Sequence, residues 1–215
     1  MHNHLTVDWT IPPTAPGWAG QIERFMGPGK TREEIIVEVG GGALAVAAVA
    51  TLAATDESVR EWSSLQVALA VVVGLDLVGG VLTNATNSAK RWYHRPGPGR
   101  VRARLGFALA HVAHLAVVAF VLLPGHAALW WWTHVAFLTG SSLLIELVPV
   151  EVKRPTAVTA LVCAVALGQA VAPVGGVLTL VPVLLYLKLL VGHLVPEAPL
   201  TASQVVAANG QETGR

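Results

Sequence analysis

Asp76, His111 and His114 are ionisable side chains inside long apolar runs, and their types are those of acid–base and metal chemistry. Asp76 opens the stretch Asp76-Leu-Val-Gly-Gly-Val-Leu-Thr-Asn-Ala-Thr-Asn87. At helical spacing Asp76, Gly79, Gly80, Thr83, Asn84 and Asn87 fall on one face, and Leu77, Val78, Val81 and Leu82 on the other. If that helix runs unbroken to Asn87, the carboxylate lies about 16 Å above its lower end. At such a depth in hydrocarbon it costs several kcal/mol unless protonated, paired or wet. His111 and His114 are three residues apart and point the same way. They lie about 10 and 15 Å in from the start of their own run, level with Asp76.

Two imidazoles beside a carboxylate could hold a divalent metal such as zinc or iron, with Asp76, His111 and His114 as ligands and Glu146 or His94 as a fourth. Such a metal would lower the pKa of a bound water and create a nucleophile near neutral pH. No HExxH box is present, so a hydrogen bond between Asp76 and a histidine that holds two helices together is the competing expectation. His94 is a further acid–base candidate, since an imidazole titrates near neutrality. Asn84, Asn87 and the run Lys90-Arg91-Trp92-Tyr93-His94-Arg95 are candidates for holding a polar or phosphorylated headgroup. Lys188 reads as a snorkelling side chain on the last span, and His134, beside three tryptophans, as an interface histidine.

The elements that must position these groups are membrane spans. The chain has 215 residues, 53% hydrophobic and only 13% charged, with a mean hydropathy of +0.60. Soluble domains carry roughly 25% charge. The pattern predicts an all-α polytopic membrane protein, a bundle of about six helices. The expected spans are 35–54, 64–84, 105–123, 128–148, 156–172 and 177–195, forming one domain over 35–195. Residues 1–34 form an arm with a short amphipathic interfacial helix, where Trp18, Ile22, Phe25 and Met26 share a face. A loose tail fills 196–215. The first apolar run lies behind a polar, Pro-rich leader, which does not fit a cleavable signal peptide. The single Cys163 excludes an intrachain disulfide.

Orientation follows from charge. Lys90, Arg91, Arg95, Arg100, Arg102 and Arg104 occur without one acidic residue between them, and Glu151-Val-Lys-Arg154 makes a second basic connection. The positive-inside rule then places both termini in the cytoplasm. Arginine-rich, Ala/Val/Leu/Gly-rich composition points to a bacterial cytoplasmic membrane. Basic loops beside spans need only anionic lipid to explain them, so no nucleic-acid partner is expected. Small-residue faces such as Gly40, Ala43, Ala47 and Ala50 would suit helix contacts, including a homo-oligomer.

The functional expectation is a small membrane-embedded enzyme acting on a lipid or other apolar substrate from the cytoplasmic leaflet. A proton- or metal-coupled carrier and a non-catalytic assembly partner are the alternatives.

Overall fold

The protein is described by a computed structural model covering residues 5–123 and 125–202. Among these residues eight helices follow in order: α1 Gly17–Met26, α2 Arg32–Thr55, α3 Ser64–Ala85, α4 Asn87–Tyr93, α5 Arg100–Leu122, α6 Ala127–Leu147, α7 Val150–Val171 and α8 Gly176–His193. Five of them, α2, α3, α5, α7 and α8, are long and apolar enough to cross a membrane. α6 has 21 residues, a spanning length, but carries three tryptophans, His134, two serines and Glu146. Large apolar side chains face outward, among them Leu44 and Leu147 at 74% and 81% exposure. A hydrocarbon surround removes the penalty that water would impose on such a surface.

Local chemistry starts the helices. Ser63 and Gln66 form a capping box at α3, and Thr31 and Glu34 one at α2. α3 ends at Ala85, close to the expected 84 and two residues short of Asn87, the last residue of the polar stripe. Thr86 is extended and caps the next helix, its hydroxyl accepting from the Ala89 amide at 3.2 Å and donating to the Thr83 carbonyl at 2.8 Å. Asn87 therefore opens α4 and leaves the face that carries Asp76. α5 begins at Arg100, behind the left-handed Gly99, so Arg100, Arg102 and Arg104 occupy its first turns instead of a loop. α7 likewise starts at Val150 and takes Pro155 into the helix. Lys153 turns back to donate to the Ile145 and Glu146 carbonyls at 2.5 and 3.2 Å, closing the end of α6.

α6 packs along α7, α3 along α8, and α7 also meets α8. Leu115 and Val118 of α5, Leu138 and Ile145 of α6, and Leu185 and Leu189 of α8 are fully buried in the core. α2 lies at the periphery, with none of its apolar window buried. At the end away from Arg100, Arg102 and Arg104, Asp56 ties the α2–α3 connection to the first turn of α8, accepting from the Val177 amide at 2.7 Å. That bond, followed by those from Ser58, holds its carboxyl below the usual range. The tail, expected to be loose, pairs with the arm: Leu5–Val7 runs antiparallel to Leu200–Ala202. His2, His4 and the tail beyond residue 202 lie outside the described residues.

Candidate functional site

Three helices converge on Asp76. It projects from the middle of α3 toward His111 and His114 of α5 and Lys188 of α8. Asp76 Oδ2 lies 3.0 Å from His114 Nε2, 3.5 Å from His111 Nε2 and 2.5 Å from Lys188 Nζ. The lysine also donates to the Asp76 backbone carbonyl at 3.2 Å. Lys188 is 2% exposed. The snorkelling expectation is therefore overturned: its stem crosses the interior and its ammonium is the principal charge partner of Asp76.

The reason is on the facing helix. A Cβ on Gly80 would lie 2.2 Å from Lys188 Cε and 2.6 Å from its Cδ. Gly80 thus leaves the groove in which the lysine stem lies. Gly79, one residue earlier, faces open space. Lys188 also sits in a wide, π-type turn at Leu187–His193, and His111 marks a tightened turn within α5. Such departures from regular helix often accompany functional sites, because they re-aim individual side chains.

Hydrogen-bond accounting fixes the imidazole roles. A carboxylate only accepts, so His114 Nε2 carries the hydrogen that bridges to Asp76. His111 Nδ1 lies 2.9 Å from the Phe107 carbonyl and must donate to it. In its neutral form His111 then keeps a lone pair on Nε2, beside the carboxylate. The two rings stack at 4.8 Å with 20° between their planes. An ammonium and two imidazoles are thus held within reach of one carboxylate oxygen, which His111 Nε2 faces with a lone pair or, once it has taken a proton, as a second donor. Asp76, His111 and His114 also form the one group of three metal-capable side chains found among the described residues, their ligand atoms within 4.8 Å of one another.

A cavity of about 210 Å³ reaches Asp76 and Lys188. Gly79, Gly80, Thr83 and Asn84 form its α3 wall, and Phe25 and Met26 of α1, Tyr93 and Phe107 its remaining sides. Asn84 is 4% exposed and donates to the Lys188 carbonyl at 3.3 Å. Asn87 lines a separate cavity with Glu33, Glu34 and Glu38. Glu146 stands apart from the centre, gripped by Arg104 at 2.7 and 2.9 Å and by Lys153 at 3.6 Å.

α4 divides its residues between two tasks. Lys90 and His94, one turn apart, cap the end of α8. Lys90 donates to the Gly192 and Val195 carbonyls, the latter at 2.8 Å, and His94 Nε2 to the His193 carbonyl at 2.9 Å. Burial pulls the Lys90 ammonium down to about 8. Burial, then the charges of Arg104 and Lys90, bring the His94 imidazole down to about 4, which keeps it neutral. Arg91 donates to the Gly29 carbonyl at 3.1 Å. Tyr93 donates to the Phe25 carbonyl at 2.7 Å and so fastens α1, and burial pushes its phenol up to about 12. Trp92 and Arg95 face a second cavity with Tyr93.

His134, read from the sequence as an interface histidine, is 1% exposed and enclosed by protein. Its Nδ1 meets the Tyr186 hydroxyl at 2.8 Å, and its ring packs on Trp130 and against Gly168.

The residues that sequence reading missed are Lys188 as the partner of Asp76 and the aromatic wall of Phe25 and Phe107; Gly80 was placed on the Asp76 face, without the side chain that packs on it. One signal was available for Lys188: an intramembrane carboxylate needs a counter-charge. Comparison with protein-family models, curated proteins and solved structures finds no match, so the reading of the site rests on its geometry.

Proposed function

We propose that the chain is a six-span protein of a bacterial cytoplasmic membrane, α6 included, with both termini in the cytoplasm. Its Asp76–Lys188–His111–His114 centre performs acid–base chemistry on an apolar substrate admitted from the cytoplasmic leaflet. The Arg-rich ends of α4 and α5 support the orientation. One observation carries the chemical reading: an ion pair lines a cavity roofed by the amphipathic helix α1, and two imidazoles stand behind it against the same carboxylate. In that arrangement His111 takes a proton, the Lys188 ammonium gives one or steadies a developing negative charge, and Asp76 holds both cationic groups in place. A crevice lined by apolar side chains of α2, α3, α5 and α8 adjoins the cavity at Leu75 and supports an apolar substrate.

The test compares lipid extracts, by mass spectrometry, from cells making the wild-type chain and cells making Asp76→Asn or His111→Gln at equal folded amounts. A lipid species present only with wild type is the expected result. Identical lipid profiles, together with lowered melting temperatures in both variants, would mean that the cluster only holds helices together.

A divalent-metal centre is a second reading, favoured by the compact trio Asp76, His111 and His114. The Phe107 carbonyl already orients His111 so that Nε2 is free to ligate, as outer partners of metal-bound histidines do. Lys188 would have to withdraw from Asp76. Elemental analysis of the detergent-purified protein separates the two readings: stoichiometric zinc or iron, lost in His111→Ala, favours the metal.

A further inference from the structure

The second cavity, about 450 Å³, lies beside the first and shares Phe25, Tyr93 and Phe107 with it. Its charged lining is Arg24, Arg95, Arg100 and Arg104, and no carboxylate is among its lining residues. Two of the four guanidiniums have defined partners elsewhere. Arg104 is held by Glu146, and Arg24 donates to the Thr14 hydroxyl at 2.6 Å. Arg95 lies 3.3 Å over the Trp92 ring and donates to the Trp92 carbonyl. Arg100 buries its Nε without a hydrogen-bond partner. Burial, and after it the like charge of Arg100, hold Arg95 below the ordinary arginine range. Arg104 apart, these cationic side chains thus converge on a partly enclosed space with no carboxylate among its lining residues. Guanidinium forks match phosphate oxygens, and the aromatic wall offers an apolar exit toward Asp76.

We propose that this cavity binds the phosphate-class headgroup of a membrane amphiphile through Arg95 and Arg100, with the attached chain passing Phe25, Tyr93 and Phe107 toward the Asp76–Lys188 centre. The assignment deepens the enzymatic reading and rests on it for the chain's destination, while the headgroup site can be tested alone.

The purified full-length protein in neutral detergent is titrated with dioleoyl phosphatidic acid, dioleoylglycerol or inorganic phosphate, and binding is read by native mass spectrometry and thermal shift. Phosphatidic acid is expected to bind, and dioleoylglycerol, with the same chains and no phosphate, at least tenfold more weakly. The double variant Arg95→Gln/Arg100→Gln is expected to lose about tenfold to a hundredfold in affinity, the scale of one or two charge-assisted hydrogen bonds. Arg95→Lys/Arg100→Lys, which keeps the charge, serves if the glutamine pair does not fold. Arg102→Gln, at an exposed position outside the cavity lining, should leave binding unchanged. Equal weakening by Arg102→Gln would reduce the effect to general surface charge and overturn the site. Binding of inorganic phosphate as tight as that of phosphatidic acid would overturn the amphiphile and leave a soluble phosphate as ligand. Asp76→Asn should bind phosphatidic acid as wild type does. If it does so while the lipid comparison shows no product, the enzymatic reading falls and the headgroup site stands.

Discussion

Gly79→Ala and Gly80→Ala should shift stability in opposite directions, although the two positions are adjacent on one helix. Alanine in a helix interior is ordinarily favoured over glycine by roughly 0.5–1 kcal/mol. At Gly79 nothing lies within 4 Å of the added methyl, so that gain should appear unopposed. At Gly80 the methyl would sit 2.2 Å from Lys188 Cε and 2.8 Å from its Nζ. These are the far atoms of a flexible side chain, so the lysine gives way and the backbone stays. The cost is then the loss of the 2.5 Å contact with Asp76. Breaking a buried pair costs about 3–5 kcal/mol. Asp76 is 36% exposed on its side chain and keeps His114 at 3.0 Å, which reduces the loss. After the helix-propensity gain, a net destabilisation of about 2 kcal/mol is expected for Gly80→Ala. In a chain of this size that corresponds to a fall of about 4–8 °C in melting temperature. Thermal unfolding of both variants in the same detergent measures it. If the two melt within a degree of each other, Lys188 does not occupy the Gly80 groove, and the account of the centre fails with it.

Three further outcomes are expected. Asp76→Asn and Lys188→Met should each destabilise by about 3 kcal/mol, and the double variant by less than their sum, with a coupling of at least about 1 kcal/mol in a double-mutant cycle. Additive effects would deny the pair. His94 titrates lower in the folded protein, about 4, than its ordinary 6.5. The unfolded chain therefore takes up its proton first, so the His94 contribution is complete above pH 6.5 and is lost as pH falls toward 4. It amounts to at most about 3 kcal/mol. Unfolding of wild type against His94→Gln across that window checks it: the variant should show a shallower acid slope. Finally, Gly168→Ala would place a methyl 2.7 Å from His134 Cε1 and should cost about 1–3 kcal/mol. Gly140→Ala, with open space around it, should not destabilise.

Asp76, His111 and His114 were legible as a group because depth and helical spacing fix where such residues lie before any packing is known. Lys188 was not, since a lone lysine on an apolar run has two cheap fates, reaching the surface or pairing inward. Only the glycine on a neighbouring helix decides between them. The same limit hid the capping work of α4. Lys90 through Arg95 reads as a basic juxtamembrane run, and that reading accounts for its charge without saying where each side chain turns. The four-residue spacing of Lys90 and His94 matches a single helix face, but the carbonyls they close belong to a helix about a hundred positions later. The polar stripe drawn through Asn87 was cut two residues short because the Thr86 side chain competes with the helical backbone and caps the next helix. Spans chosen by hydropathy alone left out the charged first turns of α5 and α7.

The distance along the chain between Asp76 and its counter-charge also sets an order of assembly. A chain that enters the bilayer from its N-terminal end delivers the carboxylate first and the two imidazoles dozens of residues later. The ammonium arrives 112 residues behind, on the last helix. Until then Asp76 must be neutralised by a proton or shared with His111 and His114. Chains cut off before α8 should therefore be handled by the cell as unfinished membrane proteins, however well their earlier helices pack.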